Sequence, residues 1–430
     1  MDAYAETLDR IYNLRGGVID LRLDRMDQAL SLFAHPEKKF PSFHIAGTNG
    51  KGSTAAILHR ILSQSGYRVA LYTSPHLVSF TERIRVGDEE ISPNEVVALA
   101  NEIEHETAAA SIPLTFFEFV TVLAFVHFAR CKIDVAVVEV GLGGRLDATN
   151  LVKPVVSLIS TISKDHEAYL GSDLLSIGRE KGGIIKHGVP VVCGALPEKV
   201  ATLLKTIADA HGAPSYFMGR DFIFSLKNKG LFDYTGIKWR LTDLHVALRG
   251  RHQRSNAALA LSALEIAAGD FPVSEANLRD GLKTVRWPGR FEIVRNNPTV
   301  VLDGAHNGEG VRALITELEN FREGRRIKLL FASMEDKDWP LMLKNLSEVA
   351  DEIVLTRVNM ERSANPDKLA SHLGAKIRHR AIKDAPSALA YLLSRANSDD
   401  IILVAGSLYL LGEVRPMLVE TDDRKVGQQK

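Results

Sequence analysis

Hydrophobic and polar positions alternate with two different periods along most of the chain. Short runs rich in β-branched residues are separated by longer stretches with apolar residues at helical spacing, a pattern typical of βαβ units and a mainly parallel sheet. In the first half, strands are predicted at Phe43–Ala46, Arg68–Thr73, Ile133–Val140, Val155–Ile159 and Val189–Cys193, and helices at Gly52–Gln64, Pro93–Ala109 and Phe117–Ala129. We therefore predict an α/β fold with a mostly parallel sheet.

The stretch Phe222–Leu248 departs from this pattern. Strand-like residues alternate there around polar breaks at Lys227–Gly230 and Tyr234–Gly236, which predicts antiparallel hairpins added to the sheet. Helices are expected at His252–Ala268 and near Ser274–Lys283, where the helical spacing returns.

A second α/β alternation begins after the break at Arg286–Pro288. Its predicted strands are Thr299–Leu302, Lys328–Phe331, Glu352–Thr356 and Asp400–Ala405, and the polar tail 420–430 is expected to be frayed. A chain of 430 residues is also long for a single core. We place the domain junction at about residue 290, between a P-loop-type domain (residues 1–290) and a smaller Rossmann-like α/β domain (residues 291–430).

Charge and cysteine content exclude several classes of protein. The 53 basic residues balance 53 acidic ones, so no overall field attracts nucleic acid or an anionic membrane. Cys131 and Cys193 are too few for a disulfide framework or a thiolate cluster, which suits a reducing compartment. No stretch has the roughly 18 apolar residues of a membrane span, and residues 1–10 lack the pattern of a secretory signal. We expect a cytoplasmic protein.

The segment Gly47–Thr54 has the features of a phosphate-binding loop. It follows a predicted strand and opens a predicted helix, so glycines let backbone N–H groups face phosphate oxygens while the helix dipole attracts them. Lys51 would then reach the β and γ phosphates of ATP. The strict pattern fails because Gly52 separates Lys51 from Ser53 and Ile45 replaces the first glycine. The alternative is a structural strand-to-helix turn.

Candidate metal ligands follow two further strands. Glu139 ends an apolar strand, and an acid in that position near a phosphate loop commonly holds the magnesium ion of a nucleotide; a carboxylate that merely caps the strand is the alternative. His166 follows the strand Val155–Ile159, but a lone histidine is equally consistent with a surface or core residue. From its spacing alone, Lys181 is a solvated helix charge.

These segments, with others, resemble the folylpolyglutamate synthase and dihydrofolate synthase branch of the Mur ligase superfamily. In that family the Gly-Lys-Gly-Ser form of the loop is the usual one. The resemblance runs from about residue 20 to 417. It rests on His44–Thr54, Thr73–Leu77, Val138–Asn150, Asp165–His166 with Leu170–Gly171, Glu180–Lys181, His252–Gln253 with Asn256, Pro288–Phe291, Asp303–Asn307, Asp336–Asp338 and Gly406–Tyr409.

The resemblance implies a two-metal ATP site. One magnesium ion would be held by Ser74 and Glu139, and a second by Glu139, His166 and a carbamylated Lys181. Carbamylation turns the lysine cation into an anion with oxygen donors, which Mg²⁺ prefers. A monovalent cation such as K⁺ is a further expected cofactor. The loop residues expected to bind ATP are Thr48, Asn49, Gly50, Lys51, Gly52 and Ser53.

By the same resemblance, residues near the domain junction complete the nucleotide site. Asn256 would contact the adenine, Arg290 the phosphates and Asp303 the ribose, with His306 nearby, so that ATP lies between the domains and the smaller domain closes over it and binds glutamate. From the residues alone, the favoured interpretation is a helix surface residue for Asn256, a linker charge for Arg290 and a turn former for Asp303.

The resemblance also implies a site for a pterin substrate. Aromatic rings beside an acid suit a flat heterocycle that stacks and donates N–H bonds. A helix start with both phenylalanines in the core is the alternative. The residues implied are Thr115, Phe116, Phe117 and Glu118 in one segment, and Leu146, Asp147 and Ala148 in another.

The implied function is ATP-dependent amide ligation by a cytoplasmic monomer. A carboxylate of dihydropteroate, or of the last glutamate of a reduced folate, would form an acyl phosphate that L-glutamate then attacks, and we expect both activities. The catalytic residues would be Lys51, Glu139, His166 and Lys181, with charge on the transferring phosphoryl group neutralised by Lys51, Arg290 and the metal ions.

Two alternatives remain from the sequence. A cell-wall Mur ligase shares the architecture but extends a nucleotide-linked muropeptide; the loop form and Thr73–Leu77 favour folate. A nucleotide-dependent switch would show Asn-Lys-x-Asp and Asp-x-x-Gly patterns, whereas Glu139 is followed by Gly141, Gly143 and Gly144.

Overall fold

The computed structural model describes residues 2–14, 22–374 and 377–419, and the predicted frayed tail lies outside this part of the chain. The chain forms two compact units. The first comprises Met1–Ala247 and His252–Arg286, and the second Leu248–Arg251 and Trp287–Lys430. The main boundary between the units falls at Trp287, three residues before the junction predicted at residue 290. Nothing in the sequence indicated that the short segment Leu248–Arg251 also belongs to the second unit.

The helices alternate with the strands along both units. They are α1 (Ala3–Tyr12), α2 (Asp24–Leu32), α3 (Lys51–Gln64), α4 (Pro93–Ala109), α5 (Phe116–Cys131), α6 (Glu167–Leu170), α7 (Leu174–Gly182), α8 (Glu198–Ala210), α9 (Arg251–Ile266), α10 (Glu275–Thr284), α11 (Gly308–Arg322), α12 (Trp339–Ser347), α13 (Pro366–Ala370), α14 (Ala385–Arg395) and α15 (Leu408–Val414). Within the described ranges, none of these helices is long and apolar enough to cross a lipid bilayer.

The strands form a separate set of sheets in each unit. They are β1 (Ser42–Ala46), β2 (Val69–Tyr72), β3 (Ile84–Val86), β4 (Glu89–Glu90), β5 (Val135–Glu139), β6 (Pro154–Ile159), β7 (Val191–Cys193), β8 (Ser215–Phe217), β9 (Ile223–Leu226), β10 (Phe232–Thr235), β11 (Arg240–Leu244), β12 (Glu292–Asn296), β13 (Thr299–Leu302), β14 (Ile327–Phe331), β15 (Glu352–Leu355), β16 (His379–Ala381) and β17 (Ile401–Ala405).

The main sheet of the first unit has the order β4-β3-β2-β5-β1-β6-β7-β8. It is parallel except at β3, which pairs antiparallel with both β2 and β4. Its central strands are buried along their whole length, as expected for a parallel sheet covered on both faces. Because β5, β1 and β6 are parallel neighbours, Glu139 and the residues that follow β1 and β6 lie at one edge of the sheet. This edge is where open α/β sheets bind ligands.

The second unit has a six-stranded sheet in the order β12-β13-β17-β14-β15-β16, parallel except at β12. A core that includes Leu314, Leu329, Phe331 and Leu403 lies against it. The residues after β13, β17 and β14 therefore share the carboxyl edge of this sheet.

The predicted α/β class is confirmed, and each strand predicted from apolar runs is present with ends within a few residues. The hairpins in Phe222–Leu248 form, but as a separate sheet of order β11-β10-β9 instead of extra strands of the main sheet. The reason is their packing, since Phe232 and Tyr234 are buried and the Tyr234 hydroxyl donates to Glu265 of α9, 2.8 Å away. Prediction missed four strands of two or three residues, β3, β4, β8 and β16, and the five-residue strand β12.

Candidate active site

The phosphate loop lies between β1 and α3 with an open helix start. Gly50 is the N-cap residue and has φ 86°, and α3 shows no side-chain cap among the described residues. A side chain at Gly50 would also collide with Asn256. The first N–H groups of a helix have no intrahelical partner, so an uncapped start with this backbone suits an anion. The loop therefore fits a phosphate.

Two lysines meet at one carbonyl group of this loop. Lys51 Nζ donates to Gly47 O at 3.0 Å, and Lys181 Nζ, from α7, donates to the same oxygen at 2.9 Å. They are 130 residues apart in numbering, yet both amino groups lie at the carboxyl end of β1. The geometry creates a site for negative charge beside the helix start.

Lys181 is not the solvated charge that its spacing suggested. Its side chain is buried, with 5% of its surface exposed. Burial, and next the positive charge of Lys51, lower the pKa of Lys181 to about 7. A lysine in this state has a substantial neutral amine fraction near neutral pH, which is the form able to act as a nucleophile.

Glu139 and Ser74 are brought together although they lie 65 residues apart in the sequence. Glu139 is the last residue of β5 and is 5% exposed, and its Oε2 accepts a hydrogen bond from Ser74 N at 3.2 Å. A buried carboxylate beside a serine provides the oxygen donors that Mg²⁺ prefers.

His166 lies just before α6, with a left-handed backbone (φ 53°). Its ring is 40% exposed, with Nε2 3.9 Å from Asp165 Oδ1. In the part of the chain that the structure covers, no cluster of three or more His, Cys, Asp and Glu residues could hold a metal ion. Of the four expected metal ligands, only Glu139 and His166 are residues of these four types; the other two are Ser74 and Lys181. The metal site therefore stays a prediction.

Thr115 and Glu118 form the start of a helix. Thr115 caps α5, and its N and Oγ1 donate to Glu118 Oε2 at 2.8 and 2.7 Å. Glu118 is 3% exposed and also accepts from the Arg25 guanidinium, 2.6 Å from Oε1. These contacts support the helix-start alternative for this pair, and a role for Glu118 with a pterin stays a prediction.

We expect Glu118→Ala to lower the free energy of unfolding by about 3 to 5 kcal/mol, because it leaves the Arg25 charge buried without its carboxylate. Urea denaturation measures this. The matched control is Glu102→Ala, which removes the exposed partner of Arg130 and should cost no more than about 1 kcal/mol. Equal stabilities of the two variants would contradict the structural role of Glu118.

The two phenylalanines of this segment are half-buried against the core of the first unit. Phe116 stacks on Tyr12 with ring centroids 5.4 Å apart. Phe117 lies against Gly141, where any side chain would collide with its ring. The structure therefore brings Phe117 next to the loop that leads to Asp147.

Asp147 caps the short 3₁₀ helix Ala148–Leu151 and is buried, while Leu146 before it is half-buried. Asp147 Oδ2 accepts from Leu142 N at 2.8 Å, and Asp147 Oδ1 accepts from Thr149 N at 3.0 Å. Burial raises the pKa of Asp147. Sequence reasoning missed Thr149, whose hydroxyl donates to Asp147 and lies 2.9 Å from His44 Nε2 in β1.

Asn256 on α9 lies beside the phosphate loop. It is 6% exposed, so the helix-surface alternative was wrong. Its Oδ1 faces the α-carbon of Gly50, and its Nδ2 donates to Gln253 Oε1 at 3.1 Å. The amide oxygen of Asn256 is thus directed to Gly50, at the start of α3, and its contact with adenine stays a prediction.

Three expected nucleotide residues are grouped within the second unit. Asp303 follows β13 and accepts from Phe291 N at 2.8 Å and from Ala305 N at 2.9 Å, so it also shapes a turn. Arg290 lies against Gly304 and donates to Gly289 O at 3.1 Å. His306 Nδ1 is 2.9 Å from Gly304 O. The group lies at the carboxyl edge of the second sheet, where ligands bind in such folds.

Family comparisons agree with this architecture. Residues 45–264 match the Mur ligase middle domain, and residues 289–408 match the Mur ligase glutamate ligase domain. The first match contains the phosphate loop, Glu139 and Lys181, and the second contains Arg290, Asp303 and His306. Fold and site together define the class of the protein as a Mur ligase.

The dihydrofolate synthase/folylpolyglutamate synthase of Bacillus subtilis (strain 168) is 35% identical over 409 residues, which cover 92% of this chain and 94% of that protein. The solved structure of E. coli FolC in complex with DHPP and ADP is 33% identical, with a TM-score of 0.90 and 98% of each chain covered. A bifunctional folylpolyglutamate synthase/dihydrofolate synthase with Mn, AMPPNP and L-glutamate bound is 34% identical, with a TM-score of 0.86 and 96% and 98% covered. The chain therefore belongs to the dihydrofolate synthase/folylpolyglutamate synthase family, whose members are ATP-dependent glutamate ligases.

The resemblance stated from the sequence is thereby confirmed. The cell-wall alternative belongs to a branch other than that of these relatives, and the nucleotide-switch alternative does not fit a ligase family.

Proposed function

We propose that this enzyme adds L-glutamate both to dihydropteroate and to reduced folates that already carry glutamate. The observation that most supports an ATP-dependent reaction is the uncapped start of α3 behind Gly50, with the Lys51 ammonium 3.0 Å from Gly47 O. Such a site suits the triphosphate of ATP. The relative from Bacillus subtilis is named for both activities.

The proposed reaction has two steps. In the first, an oxygen of the substrate carboxylate bonds to the γ-phosphorus of ATP and the bond to ADP breaks, which gives an acyl phosphate. In the second, the amine of L-glutamate attacks the acyl carbon, loses a proton and displaces inorganic phosphate. Lys51 and the first-turn N–H groups of α3 stabilise the negative charge on the transferring group, and the family resemblance implies the same role for Arg290.

The proposed divalent metal ligands are Ser74, Glu139, His166 and a carbamylated Lys181. When bound, magnesium ions neutralise phosphate charge and orient the γ-phosphate for transfer. The buried Glu139 carboxylate with its Ser74 neighbour, and the buried Lys181 amine of lowered pKa, fit such donors. The relative with Mn and AMPPNP bound supports a divalent ion with the nucleotide. A monovalent cation such as K⁺ is proposed beside them.

The proposed substrate contacts are those of the family resemblance. Asn256 would contact adenine, Asp303 the ribose with His306 nearby, and the pterin would lie near Phe117 and Asp147. Thr115, Phe116, Glu118, Leu146 and Ala148 complete the proposed pterin residues. We further propose that the enzyme acts as a monomer in the cytoplasm, with no nucleic-acid or membrane partner.

Incorporation of labelled L-glutamate, measured separately with dihydropteroate and with a reduced folate monoglutamate, tests the proposed pair of activities. We expect ATP- and Mg²⁺-dependent product with both substrates. Omission of ATP provides the blank, and a nucleotide-linked muropeptide provides the control for the cell-wall alternative. Product with only one folate substrate would contradict the bifunctional proposal, and product with the muropeptide alone would overturn the choice of folate.

A further inference from the structure

We infer that Thr161, with Ser160, is a positioning residue that holds the phosphate loop in its binding shape. As a consequence, the phosphates contact the N–H groups of Gly50–Ser53 and not the N–H groups of Thr48 and Asn49. This inference rests on the proposed ATP site. It states which backbone N–H groups of the loop contact the phosphates, which the sequence motif alone does not specify.

The N–H groups of the first loop residues are engaged by the segment that follows β6. Thr48 N donates to Thr161 O at 2.8 Å, and Asn49 N donates to Thr161 Oγ1 at 3.0 Å. An N–H group has one hydrogen to donate, so a phosphate oxygen would have to displace these acceptors. The N–H groups of Thr48 and Asn49 therefore already donate to protein acceptors.

The carbonyl side of the loop is fixed by the same segment. Ser160 Oγ donates to Asn49 O at 2.6 Å, while Thr161 Oγ1 lies 3.3 Å from the same oxygen. The Thr48 hydroxyl donates to Ser163 O at 3.1 Å and lies 3.1 Å from Ser163 N. These bonds join two segments that are more than 100 residues apart, and they hold the residues just before the start of α3.

Ser160 fits between two glycines that have no side chain to collide with it. A side chain at Gly47 would collide with Ser160 Oγ, and a side chain at Gly194, which follows β7, would collide with Ser160 O. Ser160 is itself buried. The position of the serine is thus set from both neighbouring strands, which makes the segment 160–163 a rigid support for the loop.

The first turn of α3 supplies the remaining donors. A helix leaves its first N–H groups without intrahelical partners, and α3 begins at Lys51 with Gly50 as its N-cap. The Lys51 ammonium lies on the same side, close to Gly47 O. Because the N–H groups of Thr48 and Asn49 donate to Thr161, we expect the phosphates to bind the N–H groups of the first turn of α3.

Residue-resolved hydrogen exchange on the wild-type enzyme tests the assignment directly. Without nucleotide, the amides of Thr48 and Asn49 should exchange at least about a hundredfold more slowly than in an unfolded chain. Addition of ADP with Mg²⁺ should slow the amides of Gly50–Ser53 by at least about tenfold and change those of Thr48 and Asn49 by less than about threefold. Fast exchange at Thr48 and Asn49 that slows only with ADP would overturn the inference.

A pair of variants tests the role of the hydroxyl. Thr161→Val keeps the side-chain shape and the main-chain carbonyl but removes Oγ1. The Kd for ADP and the KM for ATP should therefore rise about tenfold. The KM for dihydropteroate should stay within about twofold of wild type. Thr161→Ser keeps the hydroxyl and should stay within about threefold of wild type in all three. Calorimetric titration with ADP and Mg²⁺ gives the Kd.

A merely structural role would lower the folded fraction and kcat without changing the Kd for ADP. Unchanged ADP binding in Thr161→Val, or equal weakening in Thr161→Ser, would contradict the inference. If Thr161→Val fails to fold, the exchange experiment on the wild type still decides. Glutamate incorporation by the wild type tests the proposed function independently, so failure of one can be told from failure of the other.

Discussion

Replacement of Glu139 by alanine should abolish glutamate addition, with kcat at least about a thousandfold lower than in the wild type. Glu139 is the proposed ligand of both magnesium ions, and metal ions supply several kcal/mol of charge stabilisation in phosphoryl transfer, where about 4 kcal/mol corresponds to a thousandfold change in rate. The residue is buried at the carboxyl end of β5 next to Ser74, and no other acid is proposed for both ions. Steady-state assays with labelled glutamate measure the loss.

The matched control is a buried carboxylate at the opposite end of a parallel strand. Glu352 begins β15 and pairs with Lys328, with 3.2 Å between Oε2 and Nζ. Ligands bind at the carboxyl ends of such strands, so Glu352→Ala should reduce stability but leave kcat of the folded fraction within about threefold. Near-normal turnover in Glu139→Ala, with a normal circular dichroism spectrum, would remove the metal proposal.

Replacement of Lys181 by alanine should lower kcat at least about a hundredfold, and short carboxylic acids such as acetate should restore part of the activity. The reason is the proposed carbamate, whose oxygen atoms a small carboxylate can replace in the space left by the side chain. The amine is suited to this modification because it is buried and its pKa is lowered to about 7. Activity as a function of acetate concentration gives the recovery, with sodium chloride as the ionic-strength blank.

Lys186 provides the matched control. Burial lowers its pKa to about 8, and its Nζ donates to Asn150 O at 2.7 Å, whereas Lys181 Nζ donates to Gly47 O of the phosphate loop. Lys186→Ala should therefore show no recovery with acetate, whatever its effect on stability. Full activity of Lys181→Ala, or equal recovery of both variants, would rule out the carbamate.

The phosphate loop could be predicted because its evidence is local. Strand, glycines, lysine and helix follow one another within Phe43–Gln64, and the folded chain keeps them in that order. The same holds for the central strands, whose apolar runs are long enough to require burial on both faces. Short edge strands such as β4 and β16 carry too few apolar residues to be recognised.

Three side chains show why the remainder of the site could not be predicted from the residues alone. Lys181 and Asn256 have polar identities typical of helix surfaces, yet both are buried beside the loop. Thr161 has no motif of its own, and its hydroxyl becomes important only because β6 pairs with β1. For Lys181 and Asn256 the family resemblance supplied a role, whereas for Thr161 it supplied none.

Sequence by itself determined the alternation of strands and helices and the phosphate loop, since periodicity and backbone preference act over a few residues. Only the tertiary structure decided which distant groups share an environment: two lysines at Gly47 O, Ser74 at Glu139, and Thr161 under the loop. The physical reason is that burial, and with it the lowered pKa of Lys181, depends on strand order. That order brings together segments 65 or more residues apart, which no local pattern specifies.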